Sequence, residues 1–274
     1  MARWYRPTVP MADCDGTELW YERRGSGERV LYCNGSGATL ESARPVLDRL
    51  AEEFDVVGFD HRGMGRSPLE GADYTMEDCA ADVLGLLDHL GWDRCRLVGL
   101  SFGGMVAQEV AVTRPDRIET LALLSTSPGG AYPSFPLEQL AELPAHERAS
   151  RSLLLADRRW TDEWFTTHPE DLQIVMSLAA GQSATETDEQ RRGRLAQLAA
   201  RQGHDVLDRL DRVTGPTYVA CGRFDDIAPV ANAEQIARRV SGAQLSVFDG
   251  GHLFMFQDPT AWPQIVGFLA RPTG

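Results

Sequence analysis

The chain is 274 residues long, with 43% hydrophobic and 8% aromatic residues, enough for a sizeable core in one or two domains. Its formal charge of -13 argues against nonspecific binding to nucleic acid or anionic membrane, both of which need a cationic surface. All 27 basic side chains are arginines, which excludes a Schiff-base lysine and a phosphate-loop lysine.

In chain order, Met11 to Cys14 and Thr17 to Arg23 flank Asp15-Gly16, a hairpin signal. Val30 to Asn34 reads as a buried strand, Ala43 to Phe54 as an amphipathic helix and Val56 to Asp60 as a second buried strand. Thr75 with Asp78 three residues on predicts a capped helix that Gly91 ends, followed by a strand running into Gly99. The next helix stops at Arg114-Pro115, and Ile118 to Ser125 is another apolar strand. From residue 127 to residue 213 the alternation breaks down into charged helical stretches with prolines and the cluster Trp160, Trp164 and Phe165. Thr217 to Gly222, Val230 to Val240, Gln244 to Phe248 and Pro259 to Leu269 then resume the pattern as strand, helix, strand and helix. Short apolar strands joined by helices predict an α/β fold with a mostly parallel sheet covered on both faces, its chemistry at the carboxyl ends of the strands. The expected division is a core domain of residues 1–126 and 214–274 with a helical insertion at 127–213.

The chemistry-bearing stretch is Gly99-Leu100-Ser101-Phe102-Gly103-Gly104, a G-x-S-x-G pattern between a predicted strand and a predicted helix. A serine on such a turn is pushed into the open, and the amide of Phe102 at the helix start is an oxyanion donor favoured by the helix dipole. A hydroxyl nucleophile needs a base and a group that orients the base, and two strand ends supply candidates. After Thr217 to Cys221 comes Gly222-Arg223-Phe224-Asp225-Asp226, and after Gln244 to Phe248 comes Asp249-Gly250-Gly251-His252. The order serine, acid, histidine, each after its own strand, is that of the α/β-hydrolase triad.

On these motifs nearly the whole chain resembles the α/β-hydrolases, in the cofactor-free serine esterase, lactonase and haloperoxidase-like group that includes the 3-oxoadipate enol-lactonases. The resemblance implies an α/β-hydrolase fold with a helical lid, Ser101 as nucleophile, His252 as base and Asp225 as acid, with Asp226 the second candidate. Asp60-His61-Arg62-Gly63-Met64-Gly65-Arg66-Ser67 resembles the family's D-x-R-G-x-G-x-S loop, whose charges are expected to be structural. The family's usual His-Gly after its third strand is Asn34-Gly35 here, and the second oxyanion amide carries over to Ser36. The implied activity is hydrolysis of a small carboxylic ester or lactone through an acyl-enzyme. The same triad also serves C-C bond hydrolases, perhydrolases and receptor-like relatives with little turnover. Trp160, Trp164 and Phe165 in the lid, with Ile227 and Leu253 beside the acid and the base, are the expected substrate contacts.

No cofactor or metal is expected. His61, His89, His146, His168 and His204 lack metal-ligand spacing, and surface or capping roles are expected for them. Cys14, Cys33, Cys79, Cys95 and Cys221 are odd in number without C-x-x-C spacing, so they read as reduced core residues rather than a disulfide framework. Met1 to Val9 has arginines but no apolar stretch behind them, and no run approaches a membrane span, so a cytoplasmic protein without a membrane partner is expected. The partner implied is a small-molecule ester or lactone.

Overall fold

The computed structural model describes residues 11–69, 71, 73–141, 143–180 and 187–272; Met1 to Val9 lie outside the described residues. Eight strands form one sheet: β1 (Met11–Cys14), β2 (Thr17–Gly25), β3 (Arg29–Cys33), β4 (Asp55–Phe59), β5 (Cys95–Leu100), β6 (Ile118–Leu124), β7 (Thr217–Gly222) and β8 (Gln244–Phe248). Their spatial order is β1-β2-β4-β3-β5-β6-β7-β8. The hairpin partner β1 and the β2–β4 pair are antiparallel, and every later pair is parallel. Asp15 and Gly16 both take positive φ, 53° and 95°, which is the turn that matches the twist of a two-residue hairpin.

The core helices are α1 (Leu40–Ala51), α2 (Met76–His89) and α3 (Phe102–Thr113). The insertion between β6 and β7 carries α4 (Glu138–Ala141), α5 (Ala145–Ala156), α6 (Asp162–Thr167), α7 (Pro169–Ala180) and α8 (Asp188–Gln202). After β7 come α9 (Val230–Arg239), α10 (Phe254–Gln257) and α11 (Ala261–Leu269). Alternate residues of each central strand enter two separate apolar layers. Leu31, Val57, Leu97, Leu121 and Val219 pack with α2, α3 and α9, while Val30, Val56, Val98, Ala122 and Ala220 pack with α1 and α11. The end of the insertion joins the first layer through Val206, Leu207, Leu210 and Val213.

Helix α1 begins three residues before the sequence reading placed it. Thr39 and Ser42 cap it reciprocally, with the Thr39 N–H donating to Ser42 Oγ at 2.9 Å, a serine doing what an acid does at Thr75 and Asp78 of α2. All five cysteines are buried and free, and burial pushes the Cys95 and Cys221 thiols up to about 12, so they are inert packing groups.

Candidate active site

Strand β5 delivers Ser101 to the first position before α3 with φ 54° and ψ -114°. A non-glycine residue persists there only where its surroundings dictate the backbone. A side chain on Gly99 would strike the Gly103 carbonyl, and one on Gly103 would strike the Cys33 carbonyl, so strand and helix pass in backbone contact. The Ser101 N–H donates to the Leu124 carbonyl at 2.9 Å, and Thr126 Oγ1 donates to the Ser101 carbonyl at 2.7 Å, fixing the turn from the end of β6. The Phe102 amide is the first of α3 and, among the described residues, donates no hydrogen bond.

The ends of β7 and β8 place an acid on a histidine. Asp225 Oδ2 lies 2.7 Å from His252 Nδ1, and its Oδ1 accepts the Ile227 and Ala228 N–H groups at 2.8 and 2.9 Å. The Asp225 carboxylate is fully buried, and among the described residues His252 Nε2 makes no hydrogen bond. Asp226 points elsewhere: it is 44% exposed and pairs with Arg158 at 3.2 Å. The loop of His252 is clamped from the insertion. The His252 N–H donates to the Ala156 carbonyl at 2.6 Å, the Gly251 N–H to Gln257 Oε1 at 2.8 Å, and Gln257 Nε2 to the buried Asp157 at 2.9 Å. Among the described residues no hydrogen bond joins Ser101 Oγ to His252, a contact that often tightens only with substrate bound.

The loop after β3 runs beside the serine, since a Cβ on Gly35 would sit 3.6 Å from Ser101 Cβ. It is held from two sides. Gln197 Oε1 of α8 accepts the Gly37 N–H at 2.7 Å, and His61 Nε2 lies 3.2 Å from the Asn34 carbonyl. The His61 ring also meets Phe59 and Phe102 edge-on, with centroids 4.7 and 5.1 Å away. Burial holds His61 down to about 4, so at neutral pH it is an uncharged N–H donor. This corrects the surface role expected of it; the signal was its place between Asp60 and Arg62 in a loop that otherwise read as structural. Those two neighbours are structural: Asp60 accepts the Leu40 and Arg66 N–H groups at 2.6 and 3.0 Å, and Arg62 forks onto Asp82. Asn34 Nδ2 and Ser36 Oγ are buried without partners. The Ser36 N–H likewise donates no hydrogen bond among the described residues.

The aromatics of the insertion gather around one acid. The Trp160 and Trp164 indole N–H groups donate to the same Asp171 oxygen at 3.0 and 2.7 Å. Trp164 also stacks on His168 at 3.6 Å and lies 4.7 Å from the Arg159 guanidinium, which also covers Phe224 of the Asp225 loop at 3.9 Å. Phe165 is half-buried, 6.2 Å from the Trp160 ring. Ile227 and Leu253 are half-buried, the first bonded through its amide to Asp225 and the second packed on the α1–α11 layer. Among the described residues no three His, Cys, Asp or Glu side chains gather as a metal ion needs, and no helix is long and apolar enough to cross a membrane.

Comparison with known proteins identifies the fold and its family. A family model described as alpha/beta hydrolase fold matches residues 28–259. The chain is 29% identical over 246 residues to a poly(3-hydroxyalkanoate) depolymerase of Ectopseudomonas oleovorans, covering 88% of this chain and 84% of that protein. Its fold superposes on the enol-lactonase of Burkholderia xenovorans LB400 with a TM-score of 0.78 at 26% identity, over 96% of this chain and all of that one. A hydrolase of Pseudomonas aeruginosa PA01 gives a TM-score of 0.80 at 28% identity, over 97% of this chain and 100% of the other.

Proposed function

We propose that this chain, which belongs to the α/β-hydrolase fold family and is a hydrolase, cleaves a small carboxylic ester or lactone by way of an acyl-enzyme on Ser101. The observation that carries the reading is the 2.7 Å bond from buried Asp225 to His252 Nδ1, at the same end of the sheet as a serine in a strained turn. That bond leaves Nε2 free to take the Ser101 proton as the hydroxyl attacks the acyl carbonyl. The N–H groups of Phe102 and Ser36 hold the developing oxyanion, the first with the α3 dipole behind it. Asp225 stabilises the imidazolium, which gives its proton to the leaving alkoxide. Water, deprotonated by His252 in turn, then releases the acid.

Residues 127–213 act as the cap over this site, and their apolar side chains favour an apolar acyl part. The names of the enol-lactonase and depolymerase relatives support the ester and lactone class, because both describe acyl–oxygen cleavage. The test is steady-state hydrolysis of p-nitrophenyl esters of increasing acyl length and of simple lactones. Multiple turnover is expected on members of one of these series, and Ser101→Ala is expected to lose on the order of 10⁴-fold or more in kcat. Turnover retained by Ser101→Ala overturns the mechanism, and no turnover on either series overturns the substrate class.

A further inference from the structure

A cavity of about 330 Å³ lies between the start of the insertion and the C-terminal end of α8, with Met105, Ser127, Pro133, Glu138, Arg201 and His204 in its wall. Neither Ser101, Asp225 nor His252 lines it. It lies close behind the nucleophile, since Met105 follows Ser101 by one helical turn and Ser127 adjoins the Thr126 that holds the Ser101 carbonyl. Its volume is roughly that of ten waters at about 30 Å³ each, room for a small organic acid.

The wall is polar and unfinished. Arg201 is only 6% exposed, donates from Nη2 to Ser134 Oγ at 2.8 Å, leaves Nε without a partner, and among the described residues has no carboxylate within ion-pairing distance. Burial lowers its guanidinium to about 10, which still leaves it charged at neutral pH. The acid that acts on it, Glu138 in the same wall, does so from beyond ion-pairing distance, so the guanidinium has no direct carboxylate partner among the described residues, and a planar carboxylate is the group its fork fits best. His204 is 5% exposed, with its ring beside the Ser127 carbonyl and neither nitrogen at hydrogen-bonding geometry to a partner. Burial holds it down to about 3, so it is neutral and offers one donor and one acceptor. Glu138 Oε2, buried in the same wall, is an acceptor without a donor. A ligand that fits these groups carries an anionic end for Arg201 and a hydrogen-bond donor for Glu138.

We propose that this cavity binds a small hydroxycarboxylate, with its carboxylate on Arg201 and its hydroxyl between Glu138 and His204. A hydroxycarboxylate is also what opening a lactone releases, a link that rests on the function proposed above, whereas the binding itself does not.

Calorimetric titration with 3-hydroxybutyrate, butyrate and inorganic phosphate tests the site on the whole protein. One equivalent of 3-hydroxybutyrate is expected to bind at millimolar concentration or below, more tightly than butyrate or phosphate. Arg201→Gln should weaken it about tenfold or more, and Glu138→Ala should erase the preference over butyrate by removing the acceptor. Fluorophosphonate labelling of Ser101 at the wild-type rate shows that both variants are folded; if Arg201→Gln is not, Glu138→Ala alone decides. Protein already phosphonylated at Ser101 should still bind. No binding by the wild-type protein overturns the proposal, as does binding indifferent to the variants or abolished by phosphonylation. Binding that follows Arg201 and Glu138 in a protein whose Ser101 proves unreactive supports the cavity and counts against the serine mechanism.

Discussion

Two adjacent acids differ in consequence because the backbone turns between them. Asp225 is buried on the histidine and receives two backbone N–H groups, while Asp226 is in solvent beside Arg158. Asp225→Asn is expected to depress kcat by about 10⁴-fold, by offering Nδ1 a donor where it needs an acceptor. Asp226→Asn should change kcat by little, since an exposed ion pair is worth at most about 1 kcal/mol. Parallel rates on one ester check this, and the reverse ranking would transfer the role to Asp226. His61 sets a pH dependence of stability. Its folded-state value of about 4 lies below the ordinary 6.5, so between these the unfolded chain binds a proton that the folded chain refuses. Stability therefore falls as pH drops from about 6.5 to about 4, by about 1.4 kcal/mol per pH unit from this residue. Denaturant unfolding across that range should show the slope, and His61→Gln should reduce it by that amount; an unchanged slope would mean His61 does not stay neutral.

At the scale of elements, the segment after α5 does two things at once. Ala156 and Asp157 hold the loop of His252, and Arg159 ties Trp164 to Phe224 of the acid loop. The two tryptophans spend their N–H groups on Asp171, which makes them internal packing of the insertion as well as proposed substrate contacts. Trp160→Ala is expected to lower the melting temperature and depress all esters together, at a cost of roughly 3 to 5 kcal/mol for a truncated core aromatic, and the half-buried Trp164→Ala to do the same to a smaller extent. Phe165→Ala is expected to reorder the preference between short and longer acyl chains, because one pocket methylene is worth about 1 to 3 kcal/mol. Thermal unfolding with kcat/KM across the acyl series separates the two behaviours, and a uniform loss in Phe165→Ala would remove it from the substrate site. None of this was visible in sequence, where Trp160, Trp164, Phe165 and Asp171 show only apolar spacing and an acid. Which ring meets which carboxylate is decided by how α6 and α7 fold back on each other.

Across the whole molecule, what was legible in the chain is what local chemistry dictates. The strands from Thr217 to Gly222 and from Gln244 to Phe248 stand where their apolar runs begin and end, and Thr75 with Asp78 opens α2 as a capping box must. The helix from Leu40 was misplaced because its cap is a pair of hydroxyls rather than a hydroxyl and an acid. The buried states of His61 and His204 escaped notice because each is enclosed by segments distant in the chain. The motifs at Ser101, Asp225 and His252 could be read because each follows its own strand, and a parallel sheet brings those strand ends to one edge. On the proposed mechanism this edge holds one acyl-accepting hydroxyl. Treatment with a fluorophosphonate, with the adduct located by peptide mass spectrometry, tests it most directly. One phosphonyl group per chain is expected, on Ser101, with no labelling of Ser101→Ala; an adduct on Ser36 or Ser127, or an unlabelled protein that still turns over esters, would contradict the mechanism.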